Sequence, residues 1–244
     1  MPEMMTSAAE GEKKPYWRQV REEEGWLYPE LLRYGYGGTI GAENFNDSGA
    51  YIYFGPSHHF WSGLMTPEIV ERFKADRNLK MLSVASGPAY IEQFMTHLGV
   101  ATDQMVLSDI NPNSLPKNYT TKTFNMWDKW PDFSKEGPFD LIVIPENYPK
   151  LTRESQHFHP EVPTSEENFD EHASQSLNIL LDSAFGHLKP GGEIRISGGV
   201  VGYTDKKYMK NFKKKYDFSQ YVSPEDGHTS HTIIVKRKES KKNV

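Results

Sequence analysis

Apolar runs that predict buried strands alternate with amphipathic segments that predict helices along most of the chain after residue 80. The strand-like runs lie at Met81–Val84, 105–107, Phe139–Ile144 and 193–196. Between them, apolar residues recur at helical spacing in residues 89–98 and again in 173–188. The run Phe139–Ile144 is apolar apart from Asp140, as expected of a central parallel strand. Strands and helices that alternate in this way predict an α/β fold.

Weaker patterns extend this arrangement on both sides. Short strands are predicted at residues 121–124, 218–222 and 232–235, and a lysine-rich helix at 203–216. Another helix is predicted to begin at Thr66, whose capping hydroxyl is followed by Pro67 and the acidic Glu68. We therefore expect a main domain over residues 65–238, followed by a basic tail at 239–244.

The N-terminal part differs in composition. Residues 1–15 are small, charged and unpatterned, which predicts a disordered leader, whereas residues 16–64 are rich in aromatic residues and glycine. Aromatic walls with a few polar groups suit small-molecule recognition, so one interpretation is a cap that covers a ligand site and forms part of the pocket. The alternative is that this region packs against the sheet or against a second copy in a homodimer.

Composition excludes several classes of site. The chain has 244 residues and a formal net charge of -5. Because it has no cysteine, disulfides, thiolate metal sites and a cysteine nucleophile are excluded. The lysine-rich patches are expected to be solvated rather than to bind nucleic acid. No signal-like or membrane-length apolar run is present, which favours a soluble, cytoplasmic protein without membrane contact.

Two histidine pairs are candidates for metal ligands, and we expect neither to bind a metal. His58 and His59 are adjacent, and neighbours in sequence rarely point at one ion. His157, His159 and Glu161 could share one face of an extended segment, but they lie within a long polar loop. A solvated loop is the simpler interpretation.

The chain is organised around the segment 80–90, with the sequence KMLSVASGPAY. It predicts a buried strand that runs through a tight turn of small residues directly into a helix. In an open parallel sheet this is where a nucleotide-like ligand binds, against the free N–H groups of a helix N-terminus. The candidate ligand contacts are Ser83, Ala85, Ser86, Gly87, Pro88 and Tyr90. A dinucleotide fingerprint would need its third glycine at Tyr90, which argues against NAD.

This segment resembles the glycine-rich motif of class I S-adenosylmethionine-dependent methyltransferases. Gly87 matches the central glycine, Ser83 stands in place of the usual acid, and Ala85 and Ala89 replace the outer glycines. The segment 188–192, LKPGG, matches a second signature of the family, in which the glycine pair turns the chain into the fifth strand. The resemblance implies a Rossmann-like methyltransferase fold and S-adenosylmethionine as cofactor. The sheet would have seven mostly parallel strands with a terminal antiparallel pair, helices on both faces and an N-terminal extension.

An acid follows the second predicted strand. Asp109 lies about 20 residues past the glycine turn, where an acid commonly binds a ribose, and the resemblance implies the same role. The alternative is that Asp109 only caps the next turn through Asn111 and Pro112. The resemblance also implies a cofactor contact by the neighbouring Ile110 and, at the adenine, by Asn125 or Asp128, with Met126 or Trp127 against the ring. Met126 and Trp127 would otherwise be ordinary core or rim residues.

The fourth strand ends in the segment 145–149, PENYP. This end is expected to face the ligand crevice, so Glu146, Asn147 and Tyr148 are candidates for the catalytic edge. Glu146 and Tyr148 are the candidate catalytic residues, and Pro145 and Glu146 are expected beside the cofactor. Glu146 can act as a general base, or it can merely cap the next turn.

We expect methyl transfer to a nitrogen or oxygen of a small-molecule acceptor. The alternatives are a catalytically silent regulatory protein that binds S-adenosylmethionine, and an aminopropyl-type transferase on the same fold.

Overall fold

The structure is a computed structural model, which describes residues 14–32, 38–41, 50–145, 177–197, 213–214, 216–225 and 227–238. The α-helices in these residues are α1 (Tyr16–Leu27), α2 (Pro29–Leu32), α3 (Pro56–Ser62), α4 (Pro67–Ala75), α5 (Tyr90–His97) and α6 (177–186), and residues 213–214 are also helical. The strands are β1 (Gly38–Gly41), β2 (Ala50–Tyr53), β3 (Met81–Val84), β4 (Met105–Asp109), β5 (Thr120–Thr123), β6 (Phe139–Ile144), β7 (Leu188–Ile196), β8 (Tyr216–Val222) and β9 (Thr229–Arg237). None of the helices in these ranges combines the length and the apolar character needed to cross a membrane.

Seven strands form one sheet in the order β5-β4-β3-β6-β7-β9-β8. The first five are parallel to one another, and β9 is antiparallel to both of its neighbours. This sheet, with helices on both faces, confirms the predicted Rossmann-like methyltransferase fold. Strands β1 and β2 form a separate antiparallel pair outside it.

The order of the strands changes direction at β3. From β3 the chain adds β4 and then β5 on one side, and it returns to add β6 and β7 on the other. The carboxyl ends of β3 and β6 therefore flank a topological switch point, which is where open α/β sheets bind ligands. The turn at residues 85–89 leaves β3 at this point.

Two apolar layers cover the sheet. Leu82 and Val84 face a core that includes Leu180 and Phe185 of α6. Met81, one position along the strand, faces the opposite core, because alternate side chains of a strand point to opposite faces. That second core contains residues of α1, α3, α4 and α5: Val20, Phe60, Ile69, Val70, Phe73, Ile91 and Phe94. Helices α1 and α3 thus lie in the same layer as α5.

A buried carboxylate ties α1 to α3. Glu24 has no exposed surface, and its Oε2 accepts a hydrogen bond from the backbone N–H of Ser57 at 2.7 Å. Its Oε1 accepts from the Ser57 hydroxyl and from Arg21 Nη1, both at 2.6 Å. The carboxylate therefore satisfies a free N–H group in the first turn of α3 and pairs with the partly buried guanidinium of Arg21.

The glycine pair of the second signature allows a close approach to β6. Leu188 pairs with Phe139 and Glu193 pairs with Leu141, so the residues between them bulge out of the ladder. Gly191 has φ 79°, in the left-handed region. A Cβ atom on Gly192 would lie 2.9 Å from Leu188 Cγ and 3.0 Å from the Asp140 carbonyl oxygen. Strand β7 accordingly begins at Leu188 rather than at the predicted residue 193.

Several boundaries differ from the sequence expectations. Strand β4 continues to Asp109, β5 is shifted by one residue, and β9 is longer at both ends. Tyr216 begins β8, so the predicted helix at 203–216 ends before it, and most of that range lies outside the described residues. Helix α4 begins as expected, with Thr66 Oγ1 accepting a hydrogen bond from the Ile69 N–H. The leader and the basic tail lie almost wholly outside the described residues.

Candidate functional site

The turn between β3 and α5 contains three residues in the left-handed conformation. Ala85 has φ 57°, Gly87 has φ 52° and Ala89 has φ 58°. The two alanines therefore keep a backbone conformation that favours glycine, at a cost of about 1–2 kcal/mol each. Strain of this kind persists where the surrounding structure fixes it, and it clusters at ligand sites. The observed torsions thus mark residues 85–89 as a functional candidate.

The end of β4 holds this turn in place. The backbone N–H and the hydroxyl of Ser86 both donate to the Ser108 carbonyl oxygen, at 2.8 and 3.1 Å. The Ser108 hydroxyl donates to the Ser83 carbonyl oxygen at 3.1 Å. Next to them, the Gly87 N–H donates to Asp109 Oδ2 at 2.9 Å. Four hydrogen bonds therefore connect the ends of two adjacent parallel strands.

Asp109 also caps the turn that follows it. Its Oδ1 accepts a hydrogen bond from the Asn111 N–H at 2.8 Å, which is the capping contact considered above. Burial raises the pKa of Asp109, and hydrogen bonds from the N–H groups of Asn111, Gly87 and Ile110 and from the Ser114 side chain oppose this rise. Capping of the turn is therefore an observed role of this carboxylate, and ribose binding stays a prediction.

An apolar side chain stands at the rim beside this carboxylate. Ile110 directly follows β4 and is 57% exposed, one of the few large apolar side chains with this exposure in the described part of the chain. A flat, apolar ligand group near Asp109 would cover it.

The turn after β5 reaches the same edge of the sheet. Asp109 pairs with Thr123, and its carbonyl oxygen accepts from the Phe124 N–H at 3.2 Å, which places Asn125 beside the end of β4. Asn125 Oδ1 accepts from the Trp127 N–H at 3.1 Å, so the side-chain oxygen shapes its own turn. Trp127 is buried in the α6-side core, and the half-buried Met126 packs against that core. Adenine contacts by these residues stay predictions.

The N-terminal region contacts the start of α5. The Tyr90 hydroxyl donates to Glu30 Oε1 at 3.2 Å, and the Tyr28 and Tyr90 rings meet edge to face at 4.9 Å. Helix α2 thus lies next to the turn at residues 85–89. These contacts were missed, because their only signal was the aromatic composition of the region. The cap over an acceptor pocket stays a prediction.

A second carboxyl near the turn was also missed. Glu92 lies in the first turn of α5 without exposed surface, and Ser83 of β3 is buried beneath the same turn. Burial raises the pKa of Glu92 to about 7. Its signal in the sequence is an acid set between the apolar residues Ile91 and Phe94.

The remaining predictions fall largely outside the described residues. Pro145 follows β6 and is half-buried, but Glu146 and Tyr148 lie in the segment 146–176, which is not described. His157 and His159 lie there too. In the ranges that are described, no group of three or more histidine or acidic side chains is placed to hold a metal ion.

No protein-family profile matches the chain, and no curated protein matches it in sequence. Similar solved structures include the glycopeptide N-methyltransferase MtfA complexed with S-adenosylmethionine, at 12% identity and TM-score 0.41, over 71% of this chain and 91% of that one. A ribosomal protein L11 methylase from Lactobacillus delbrueckii subsp. bulgaricus aligns at 13% identity and TM-score 0.41, over 70% and 75%. The S-adenosylmethionine-dependent methyltransferase SibL in its apo form aligns at 14% identity and TM-score 0.42, over 75% of this chain and 57% of that one. At these values the similarity does not identify the function of this chain.

Proposed function

We propose that the chain binds S-adenosylmethionine at the carboxyl end of β3 and β4 and transfers its methyl group to a nitrogen or oxygen of a small-molecule acceptor. The observation that carries the proposal is the strained turn at residues 85–89, held by Asp109 through the Gly87 N–H at 2.9 Å. The turn lies at the switch point of the sheet and opens onto the N-terminus of α5. Such a turn lets a ligand approach the backbone closely.

The residues present fit this cofactor. The carboxylate of Asp109 stands at the end of β4, where it would accept hydrogen bonds from the ribose, and Ile110 offers an exposed apolar surface next to it. The methyl group of Ala89 is fully buried in the core, so it does not occupy the crevice in which a glycine-rich turn would receive the ligand. Asn125 would stand beside the adenine.

When bound, S-adenosylmethionine supplies a methyl group activated by its sulfonium. The protein's part is to align the acceptor with this group, to exclude water and to accept a proton. We assign proton acceptance to Glu146 and acceptor contact to Tyr148, on their position directly after β6 alone. Helix α2, through Tyr28 and Glu30, would close the side of the site next to Tyr90.

Two other functions remain on the same fold. A regulatory protein would bind the cofactor without turnover, which is motivated by the serine at position 83, and an aminopropyl transferase would use a different part of the cofactor. Product analysis after incubation of the protein with S-adenosylmethionine and pooled small amines and alcohols distinguishes the three functions. S-adenosylhomocysteine formed with an acceptor supports the proposal. Methylthioadenosine indicates that the amino-acid chain on the sulfonium is transferred to the acceptor, which is the aminopropyl-type alternative. Binding without either product indicates a regulatory protein.

A further inference from the structure

The carboxyl of Glu92 has no exposed surface, and neither of its oxygens meets hydrogen-bond geometry with a partner among the described residues. The Ser83 hydroxyl opposite it is also fully buried and meets no hydrogen-bond criterion, yet it lies close enough to lower the pKa of Glu92 somewhat. Buried polar groups are normally paired, so an unpaired carboxyl here calls for an explanation.

The titratable groups that face Glu92 from neighbouring elements are phenols. Tyr28, between α1 and α2, and Tyr119, before β5, both have raised pKa values, chiefly because they are partly buried. The Tyr119 hydroxyl donates to the Glu92 carbonyl oxygen at 3.2 Å and lies 2.7 Å from Thr96 Oγ1, so it serves the backbone and not the carboxyl. The nearby acid Glu30 accepts from Tyr90 and raises the pKa of Tyr28. Within the described ranges, no cation neutralises Glu92.

Ionisation of this group therefore has a mechanical consequence. A lone carboxylate in an apolar site is strongly disfavoured, and opening of the local structure to water is the usual relief. Glu92 is the third residue of α5, and Ala89, which precedes the helix, is already held at φ 58°. A shift of the first turn of α5 is transmitted directly to residues 85–89.

We propose that Glu92 is a positioning residue for the turn at residues 85–89. Its neutral carboxyl allows α5 to pack on β3, whereas its ionisation loosens the turn and weakens cofactor binding. The last clause rests on the proposed function, whereas the effect on the turn does not. Glu92 acts through the backbone and does not touch the ligand. Its burial raises its pKa to about 7, which puts the change near neutral pH.

The test compares the full-length wild type with Glu92→Gln, which cannot ionise, and with Glu92→Met, which fills the site without a polar group. Glu68→Gln removes an exposed acid from α4 and controls for the lost charge. Hydrogen exchange of residues 85–92 is measured without ligand at about pH 6 and about pH 8.5, and each variant is compared with the wild type at the same pH. S-adenosylhomocysteine affinity is measured at both values.

We expect wild-type exchange at residues 85–92 to exceed that of Glu92→Gln several-fold at the higher pH, and to match it at the lower pH. The wild-type Kd should rise by at most about 30-fold over this range, since the neutral form is lost tenfold per pH unit above the pKa. Both Glu92 variants should show flat affinity, and Glu68→Gln should follow the wild type.

If Glu92→Gln and Glu92→Met follow the wild type in exchange at both pH values, the inference is wrong, whatever the ligand does. If one variant does not fold, the other decides the comparison. Failure of all proteins to bind S-adenosylhomocysteine at either pH contradicts the proposed function, while the exchange data still decide the role of Glu92.

Discussion

The Asp109 carboxylate accepts a hydrogen bond from the Gly87 N–H at 2.9 Å, so the residue proposed to bind the ribose also holds the turn that faces the cofactor. Ligand binding and local stability are therefore coupled at this position. A carboxylate at an open crevice would be dispensable for folding, but this one serves Gly87 and Asn111 at once.

Replacement of Asp109 should affect both properties. Asp109→Ala leaves two backbone N–H groups without their acceptor and should lower the free energy of unfolding by about 1–3 kcal/mol. It should also weaken S-adenosylhomocysteine binding at least about tenfold, because charge-assisted bonds to the ribose are lost. Asp109→Asn should have a smaller effect on both the free energy of unfolding and the affinity for S-adenosylhomocysteine. Urea unfolding and calorimetry measure the two effects.

Asp103→Ala is the matched control, since it removes an exposed acid whose partner is the exposed Arg77. It should leave binding unchanged. Wild-type affinity in Asp109→Ala, together with reduced stability, would mean that Asp109 is only a turn cap.

Replacement of Ala85 by glycine should raise the free energy of unfolding, whereas most Ala→Gly substitutions lower it. Ala85→Gly relieves about 1–2 kcal/mol of left-handed strain and loses about 0.4–1 kcal/mol through the more flexible unfolded chain. A net gain of about 0–1.6 kcal/mol is expected. Ala89→Gly should gain less, because its buried methyl group contributes about 0.8 kcal/mol to the core.

Thermal unfolding checks this order. Ala184→Gly, in α6 and fully buried, is the control and should destabilise by about 1 kcal/mol or more. If Ala85→Gly destabilises to the same extent, residue 85 is not strained in the folded protein.

The Glu24 carboxylate should be needed for the packing of the N-terminal helices. Glu24→Ala leaves Arg21 and the Ser57 N–H without their buried partner, and it should cost about 3 kcal/mol of unfolding free energy. Glu22→Ala, an exposed acid paired with the exposed Lys14, should change stability by less than about 0.5 kcal/mol. Urea unfolding measures both changes. Equal unfolding free energies for the two variants would contradict the described hydrogen bonds of Glu24 between α1 and α3.

The Glu92 carboxyl should make stability depend on pH. Its pKa rises from the ordinary 4.5 to about 7 on folding, so the folded state binds a proton that the unfolded state releases. This contribution is fully present below pH 4.5 and is lost as the pH rises to about 7 and beyond. The loss is about 3 kcal/mol, at 1.36 kcal/mol per pKa unit.

The difference in unfolding free energy between wild type and Glu92→Gln, measured by urea between about pH 5 and about pH 8, isolates this group. The wild type should lose stability relative to the variant as the pH rises. A constant difference would mean that Glu92 is not buried as described.

The sequence predicted the strands best where burial is complete. Met81–Val84 and Phe139–Ile144 were located to the residue, because a strand covered on both faces is a nearly continuous apolar run, broken here only by Ser83 and Asp140. The edge strand β5 consists of polar, mostly exposed residues, so its ends have no apolar signal. The start of β7 was missed because the glycine bulge lies inside the ladder.

The site was predictable only in part. Asp109 could be found from its spacing after the glycine turn, but its bond to Gly87 depends on the register of β3 against β4. Glu92 could not be distinguished from an ordinary acid in a first helical turn, where acids are common on exposed surfaces. Only the packing of α5 on β3 shows that this acid is buried.

The most direct test of the central claim is a calorimetric titration of the full-length protein with S-adenosylhomocysteine, with NAD and Asp109→Ala run in parallel. We predict saturable binding of S-adenosylhomocysteine to one site, at least about tenfold weaker binding in Asp109→Ala, and no binding of NAD. Absence of S-adenosylhomocysteine binding at millimolar concentration by the folded protein would contradict the account.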